Sequence, residues 1–138
     1  MRAVLDPNIL ISALLSRSGA PAQLIARWLA GEFELVVSEW LLAELERALA
    51  YPRLRARIAA GYAAEFVALL RAGAELAPDP SDAPRRSPDP GDDYLLALAE
   101  STDARLVSGD QDLLGLGGGL PIHTARGFLD LLDADLLR

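Results

Sequence analysis

The chain has no cysteine, and its 13 basic side chains are all arginine, so it has no lysine either. Without Cys there is no disulfide framework, no thiol nucleophile and no thiolate-bound metal. Without Lys there is no Gly-rich phosphate loop of the type that ends in Lys. Receiver domains place a Lys beside an acidic strand end and are excluded on the same ground. Haloacid-dehalogenase-type phosphatases would need that Lys and an Asp-x-Asp opening, which here reads Asp6-Pro7-Asn8. Histidine occurs once, at His123 beside an expected strand, a place that fits a structural role better than catalysis. No apolar run is long enough to span a bilayer. The opening residues, strand-like and interrupted by Asp6, do not read as a secretory signal, so the expected location is the cytoplasm.

What is present fits one globular domain: 138 residues, 51% of them apolar. The net charge of −7 argues against a nonspecific nucleic-acid coat. It leaves room for a nuclease whose bound cations bring the positive charge to the site.

Strand and helix signals alternate along the chain. Strands are expected at 2–5, 33–37, 74–77, 104–108 and 120–123. A helix follows Asp6-Pro7 as far as residue 15, and another runs from Pro21 to about residue 30, with Gly31 as its C-cap. Ser38 caps a helix to residue 50 that Tyr51-Pro52 ends. A helical turn at 54–58 and a helix at 62–72 come next, then a Pro- and Asp-rich loop over 78–91. Asp92 or Asp93 opens a helix to about residue 101, and shorter helices are expected at 110–114 and 125–132. Strands separated by helices predict parallel pairing and right-handed crossovers. The expected fold is therefore a single three-layer α/β/α domain over residues 1–138, Rossmann-like, with a mostly parallel sheet of four or five strands.

Acidic residues recur where apolar stretches break: Asp6, Glu44, Asp92-Asp93, and Asp110 with Asp112. In a parallel α/β sheet such points gather at the carboxyl edge, where ligands bind. Carboxylates crowded there repel one another and need a cation or raised pKa values to coexist. Oxygen donors without Cys point to Mg²⁺ or Mn²⁺ rather than Zn²⁺, and to metal-dependent phosphodiester cleavage. Each residue also has a plainer reading. Asp6 fits a helix cap. Glu44 borders the apolar stripe of its helix and fits a solvated side chain. Asp92 and Asp93 fit a favourable helix dipole, and one of Asp110 and Asp112 fits a cap.

Four blocks in order resemble the PIN-domain ribonucleases, most closely the VapC-like toxins of bacterial toxin–antitoxin pairs. They are Asp6-Pro7-Asn8 after the first strand, Val36-Val37-Ser38 leading to Glu44, Asp89-Pro90-Gly91-Asp92-Asp93 before Leu96-Ala97, and Ser108-Gly109-Asp110-Gln111-Asp112. The closing Leu120-Pro121-Ile122-His123-Thr124 is similar as well. The resemblance implies that Asp6, Glu44, Asp93 and Asp110 are the catalytic, metal-binding carboxylates for one or two Mg²⁺ or Mn²⁺ ions. It makes Asp112 a secondary ligand and Asn8 and Ser108 orienting groups. It prefers Asp93 to Asp92 by its spacing from Leu96-Ala97, leaving Asp92 as a cap or neighbour of the metal shell. It further implies an endoribonuclease acting on single-stranded RNA, a cognate antitoxin and a homodimer; the lack of a bilayer-spanning apolar run separately predicts no membrane association.

The chain departs from the family at Pro7, where a hydroxyl residue is expected. That departure supports an alternative, a weak or inactive PIN-like module that binds RNA or protein; a small-molecule phosphohydrolase is a third possibility. Substrate phosphates would fall to Arg53, Arg55 and Arg57 or to Arg85 and Arg86, all of which also fit a solvated face. Trp28 and Trp40 are candidates for an interaction surface and equally for the core. The glycines at 115 and 117–119 read as a turn rather than a phosphate loop, because they follow a helix.

Overall fold

Ala3, Val4 and Leu5 are each at most 1% exposed, and so are Leu35, Val36 and Val37. Successive strand residues point to opposite faces, so burial without alternation means that both faces of the sheet are covered. In the computed structural model, which describes residues 1–116 and 120–137, these residues lie in two of the three inner strands of a five-stranded parallel sheet. The strands are β1 (Arg2–Leu5), β2 (Glu34–Val37), β3 (Glu75–Leu76), β4 (Arg105–Val107) and β5 (Ile122–His123), in the order β3-β2-β1-β4-β5. The three-layer α/β/α expectation holds.

The helices are α1 (Pro7–Leu15), α2 (Ala20–Leu29), α3 (Glu39–Leu49), α4 (Pro52–Arg55), α5 (Ala60–Gly73), α6 (Pro90–Ser101), α7 (Gln111–Leu114) and α8 (Ala125–Leu136). α1 packs on α2 and α3, α3 on α5, and α2 on α8, while α6 packs against β1 and β4. The apolar side chains of these contacts form one continuous core that includes Leu10, Leu24, Leu41, Leu70, Leu98 and Phe128. Phe128 meets Phe33 with ring centroids 5.2 Å apart. Trp28, which by sequence fits a surface or the core equally, is a core residue at 7% exposure. Among the described residues no single helix is long and apolar enough to cross a membrane.

Local signals explain the helix ends. Gly31 follows the C-cap of α2 with φ +80°, a conformation that favours glycine. α4 begins at Pro52 and α5 at Ala60, each two residues before the expected start, and α8 runs four residues past its expected end. The main correction concerns α6. Asp89 is its N-cap, accepting the Gly91 N–H at 2.9 Å, and Pro90 is its first residue. The helix therefore starts before Asp92 and Asp93, which both lie inside its first turn. Residues 117–119 of the expected glycine turn lie outside the described residues.

At the start of α8 the Thr124 hydroxyl accepts the Gly127 N–H at 2.9 Å. Thr124→Ala removes this cap and is expected to lower stability by about 0.5–2 kcal/mol in urea denaturation. An unchanged midpoint would mean that solvent satisfies the amide equally well.

Candidate active site

The chain runs from β1 out to β2 on one side and returns to β4 on the other, so β1 and β4 flank a topological switch point. Leu5 pairs with Val107, and the next residue on each strand is polar: Asp6 and Ser108. The Asp6 N–H donates to the Val107 carbonyl at 2.9 Å, extending the ladder by one step. The Ser108 hydroxyl donates to Asp6 Oδ2 at 2.9 Å and accepts the Asp110 N–H at 3.0 Å. One fully buried hydroxyl thus ties together the two loops that carry acids.

Asp6 also caps α1, its Oδ1 accepting the Asn8 N–H at 2.9 Å. Cap and candidate ligand are the same residue. Burial pushes the Asp6 pKa up, the hydrogen bonds from Asn8 and Ser108 pull it down, and the charges of Asp110 and Asp89 add to the rise. Asp110 caps α7 in the same manner, accepting the Asp112 N–H at 2.8 Å.

These groups open onto a cavity of about 180 Å³ lined by Asp6, Asn8, Glu44, Asp89, Asp92 and Asp110, with Pro7, Trp40, Ala48, Gly91 and Leu95 between them. Glu44 reaches it from α3 while paired with Arg47 at 2.9 Å. Asp92 is 6% exposed, and its Oδ2 is buried with no hydrogen-bond partner. Burial raises its pKa to about 7, helped by the charges of Asp110, Asp89 and Asp6 and by a hydrogen bond with Asp110.

Asp93, preferred over Asp92 by sequence spacing, does not line the cavity. Its Oδ1 accepts the N–H groups of Arg86 and Ser87, both at 2.9 Å, and Arg85 Nε lies 3.5 Å from its Oδ2. Neighbouring residues on a helix point about 100° apart, so a first turn with one acid in the cavity sends the next one elsewhere. Asp112 is exposed and does not line the cavity either. Among the described residues no three acidic or His side chains stand close enough to hold one ion as they are placed. The donors are nonetheless all oxygen, as Mg²⁺ and Mn²⁺ prefer. Asp92 Oδ2 and Asp93 Oδ2 are both buried without a hydrogen-bond partner; of the two, Asp92 belongs to the cavity lining, where a cation could satisfy it.

The arginines are dispersed. Arg86 pairs with Glu100, and Arg55 Nε donates to the Leu49 carbonyl at 3.2 Å beside a separate groove of about 370 Å³. Arg53 and Arg85 are exposed. His123 accepts from Arg105 at 3.0 Å; burial and that cation push its pKa down, so it stays neutral and structural near pH 7.

Sequence reasoning missed two features. Asp89 stands at the cavity, and its Asp-Pro cap signature was visible in the sequence. Beside the cavity, Tyr94 OH meets Ser38 Oγ at 2.6 Å and also the Asp79 carboxylate, a long-range trio that no local pattern announces. Asp79 additionally accepts the Trp40 N–H at 3.3 Å. Burial raises the Asp79 pKa, but the hydrogen bonds from Tyr94, Ser38 and Trp40 outweigh it and leave the group below its usual value.

A profile of the PIN domain matches residues 2–112, about four fifths of the chain. The protein belongs to the PIN-domain family. PIN domains are generally nucleases and typically use divalent metal ions. Among solved structures, the chain is similar to PAE2754 from Pyrobaculum aerophilum, with TM-score 0.66 and 20% identity over 97% of this chain and 90% of that one. It is also similar to VapBC2 from Rickettsia felis bound to a DNA fragment from their promoter, with TM-score 0.65 and 14% identity over 90% of this chain and 98% of that one. A search of curated proteins finds no significant match. The PIN assignment agrees with the position of the acids at the carboxyl edge of the sheet.

Proposed function

We propose that this PIN domain is a Mg²⁺- or Mn²⁺-dependent endoribonuclease that hydrolyses single-stranded RNA. We further propose that it is the toxin of a toxin–antitoxin pair, working in the cytoplasm as a homodimer restrained by a cognate antitoxin. Family membership and the fold shared with the VapBC2 complex support this reading. The observation that carries it is the buried Asp92 carboxyl, raised to a pKa of about 7 among Asp6, Asp89 and Asp110 with one oxygen unpartnered. Buried carboxyls with raised pKa values that line a cleft are the kind of group that functional sites collect.

Asp6, Asp92, Asp110 and Glu44 would hold the metal, with Asp89 beside them. When bound, divalent cations lower the pKa of a water and offset the charge that grows on the leaving oxygen. The chain's own residues do the positioning. Ser108 aims Asp6, the Asn8 N–H favours its ionised form, and the Ser108 contact to the Asp110 N–H sets the second loop. Exposed Arg53 is the first candidate for contact with RNA phosphates, since Arg55, Arg85 and Arg86 already have partners.

A second reading, a catalytically idle PIN module, is favoured by two observations. Pro7 stands at the cavity without a side-chain hydroxyl, and Glu44 is held by Arg47. One assay separates the two: purified protein with single-stranded RNA and Mn²⁺, with and without EDTA. The enzyme reading expects cleavage that EDTA stops and that Asp6→Asn reduces at least about 100-fold. Metal binding without turnover would favour the idle module, and cutting indifferent to both treatments would remove the metal site from the account.

A further inference from the structure

We propose that Trp40 is a substrate-binding residue of this site: a fixed aromatic platform on which one unpaired nucleobase stacks next to the acidic cavity. The proposal rests on the nuclease reading for the phosphodiester, but its own content is the base. Trp40 is the second residue of α3, two past the Ser38 cap, and it lines the cavity together with Glu44, Asp89 and Asp92. It is half-buried, not sealed into the core.

One ring contact and one main-chain hydrogen bond brace Trp40. The Tyr94 ring lies against it with centroids 3.9 Å apart and a tilt of 43°. Tyr94 is itself anchored by its hydroxyl to Ser38 Oγ and to the Asp79 carboxylate. Asp79 also accepts the Trp40 main-chain N–H, so the same carboxylate braces both aromatic residues. Gly91 is close by: a Cβ there would come 4.0 Å from Trp40 Cη2, an ordinary contact, and 3.3 Å from Asp89 Oδ1. Tyr94 and Gly91 both belong to α6, the helix that carries Asp92 into the cavity.

A half-buried Trp braced by Tyr94, in a residue that lines a polar cavity, does more than fill the core. Other apolar residues at the cavity are small or aliphatic: Pro7, Ala48 and Leu95. A ring with pre-set geometry loses little conformational freedom when a flat partner lands on it. Nucleobases are flat and stack on aromatic side chains whatever their identity. A base inside a duplex has both faces covered by its neighbours, so the platform selects an unpaired nucleotide. Trp40 would therefore supply substrate affinity and strand selectivity, while the carboxylates supply the chemistry.

The test compares the parent with Trp40→Ala and Trp40→Phe, each checked for native melting. Single-stranded RNA cleavage in Mg²⁺ is followed together with tryptophan emission during titration with adenosine monophosphate or with ribose 5-phosphate. Trp40→Ala is expected to raise KM roughly 5- to 100-fold, the usual loss for one stacked base, with kcat changed less than about threefold. Trp40→Phe is expected to recover most of the affinity. The nucleotide is expected to quench parental emission, ribose 5-phosphate is not, and the quench is absent in Trp40→Phe, where only the core residue Trp28 emits. A parental KM in Trp40→Ala, or a fall in kcat alone, would overturn the proposal, the latter by showing that Trp40 only props α6. If the parent cuts no RNA, the nuclease reading fails separately and the emission titration decides the platform: quenching by the nucleotide alone upholds it, and unchanged emission overturns it.

Discussion

Asp92→Asn is expected to remove metal-dependent cleavage, by roughly 100- to 10,000-fold in kcat, while making the metal-free protein more stable at alkaline pH. Both effects come from one cause. Asp92 is buried next to Asp6, Asp89 and Asp110, and burial together with their charges raises its pKa from 3.8 to about 7. In the unfolded chain the same carboxyl titrates near its ordinary value. Between pH 4 and 7 the folded protein therefore binds a proton that the unfolded chain has released. Stability from this group is fully present at low pH and is lost as pH rises through about 7. Asn has nothing to ionise, so the variant keeps what the parent loses. In EDTA the melting temperatures are expected to coincide near pH 4 and to separate by about 3–8 °C at pH 8, the size of shift that 1–2 kcal/mol produces in a domain of this length. Adding Mg²⁺ is expected to reverse the order at pH 8, because a cation stabilises only the parental carboxylate. Thermal melts across pH, with and without Mg²⁺, together with the cleavage assay, test both halves. A variant that cuts normally, or a gap that widens towards acid, contradicts the assignment.

Asp93→Ala is expected to do the opposite: to cost stability and to spare the chemistry. The Asp93 carboxylate is 2% exposed and receives two main-chain N–H groups, from Arg86 and Ser87, with Arg85 alongside. Hydrogen bonds to a charged acceptor contribute about 1.5–3 kcal/mol each, and buried amides left without one bear a desolvation cost. The expected loss is roughly 2–4 kcal/mol in urea denaturation, with Asp93→Asn recovering part of it through its remaining carbonyl. Activity per folded molecule is expected to fall less than about tenfold, because Asp89, which follows the tethered loop, still caps α6 at the cavity. If Asp93→Ala folds like the parent yet loses all cleavage, the roles of the two adjacent aspartates are exchanged.

These two neighbours show why a sequence can point to a site without resolving it. The order of strands and helices, the acidic breaks after β1 and before α7, and the Ser38 cap were all legible, because each depends on residues close together in the chain. The choice between Asp92 and Asp93 depends on which face of α6 meets the strand ends, and that is set by how α6 packs against β1 and β4. Glu44 was ambiguous for a related reason. Its place on one border of the α3 stripe says nothing about which border faces the strand ends, and only the packing of α3 on α1 and α5 turns it towards the cavity.

The sequence by itself determined the class of the fold, the absence of thiol and lysine chemistry, and the PIN resemblance with its recurring acids. Apolar periodicity, caps and composition are local properties and can be read without coordinates. Only the tertiary structure decided that Asp92 and Asp89 share the cavity with Asp6 and Asp110, that Ser108 ties β1 to β4, and that Trp28 is core while Trp40 lines the site. Those outcomes rest on residues as far apart as Asp6 and Ser108 meeting across neighbouring strands, and the order in which strands pair is a property of the whole packed chain.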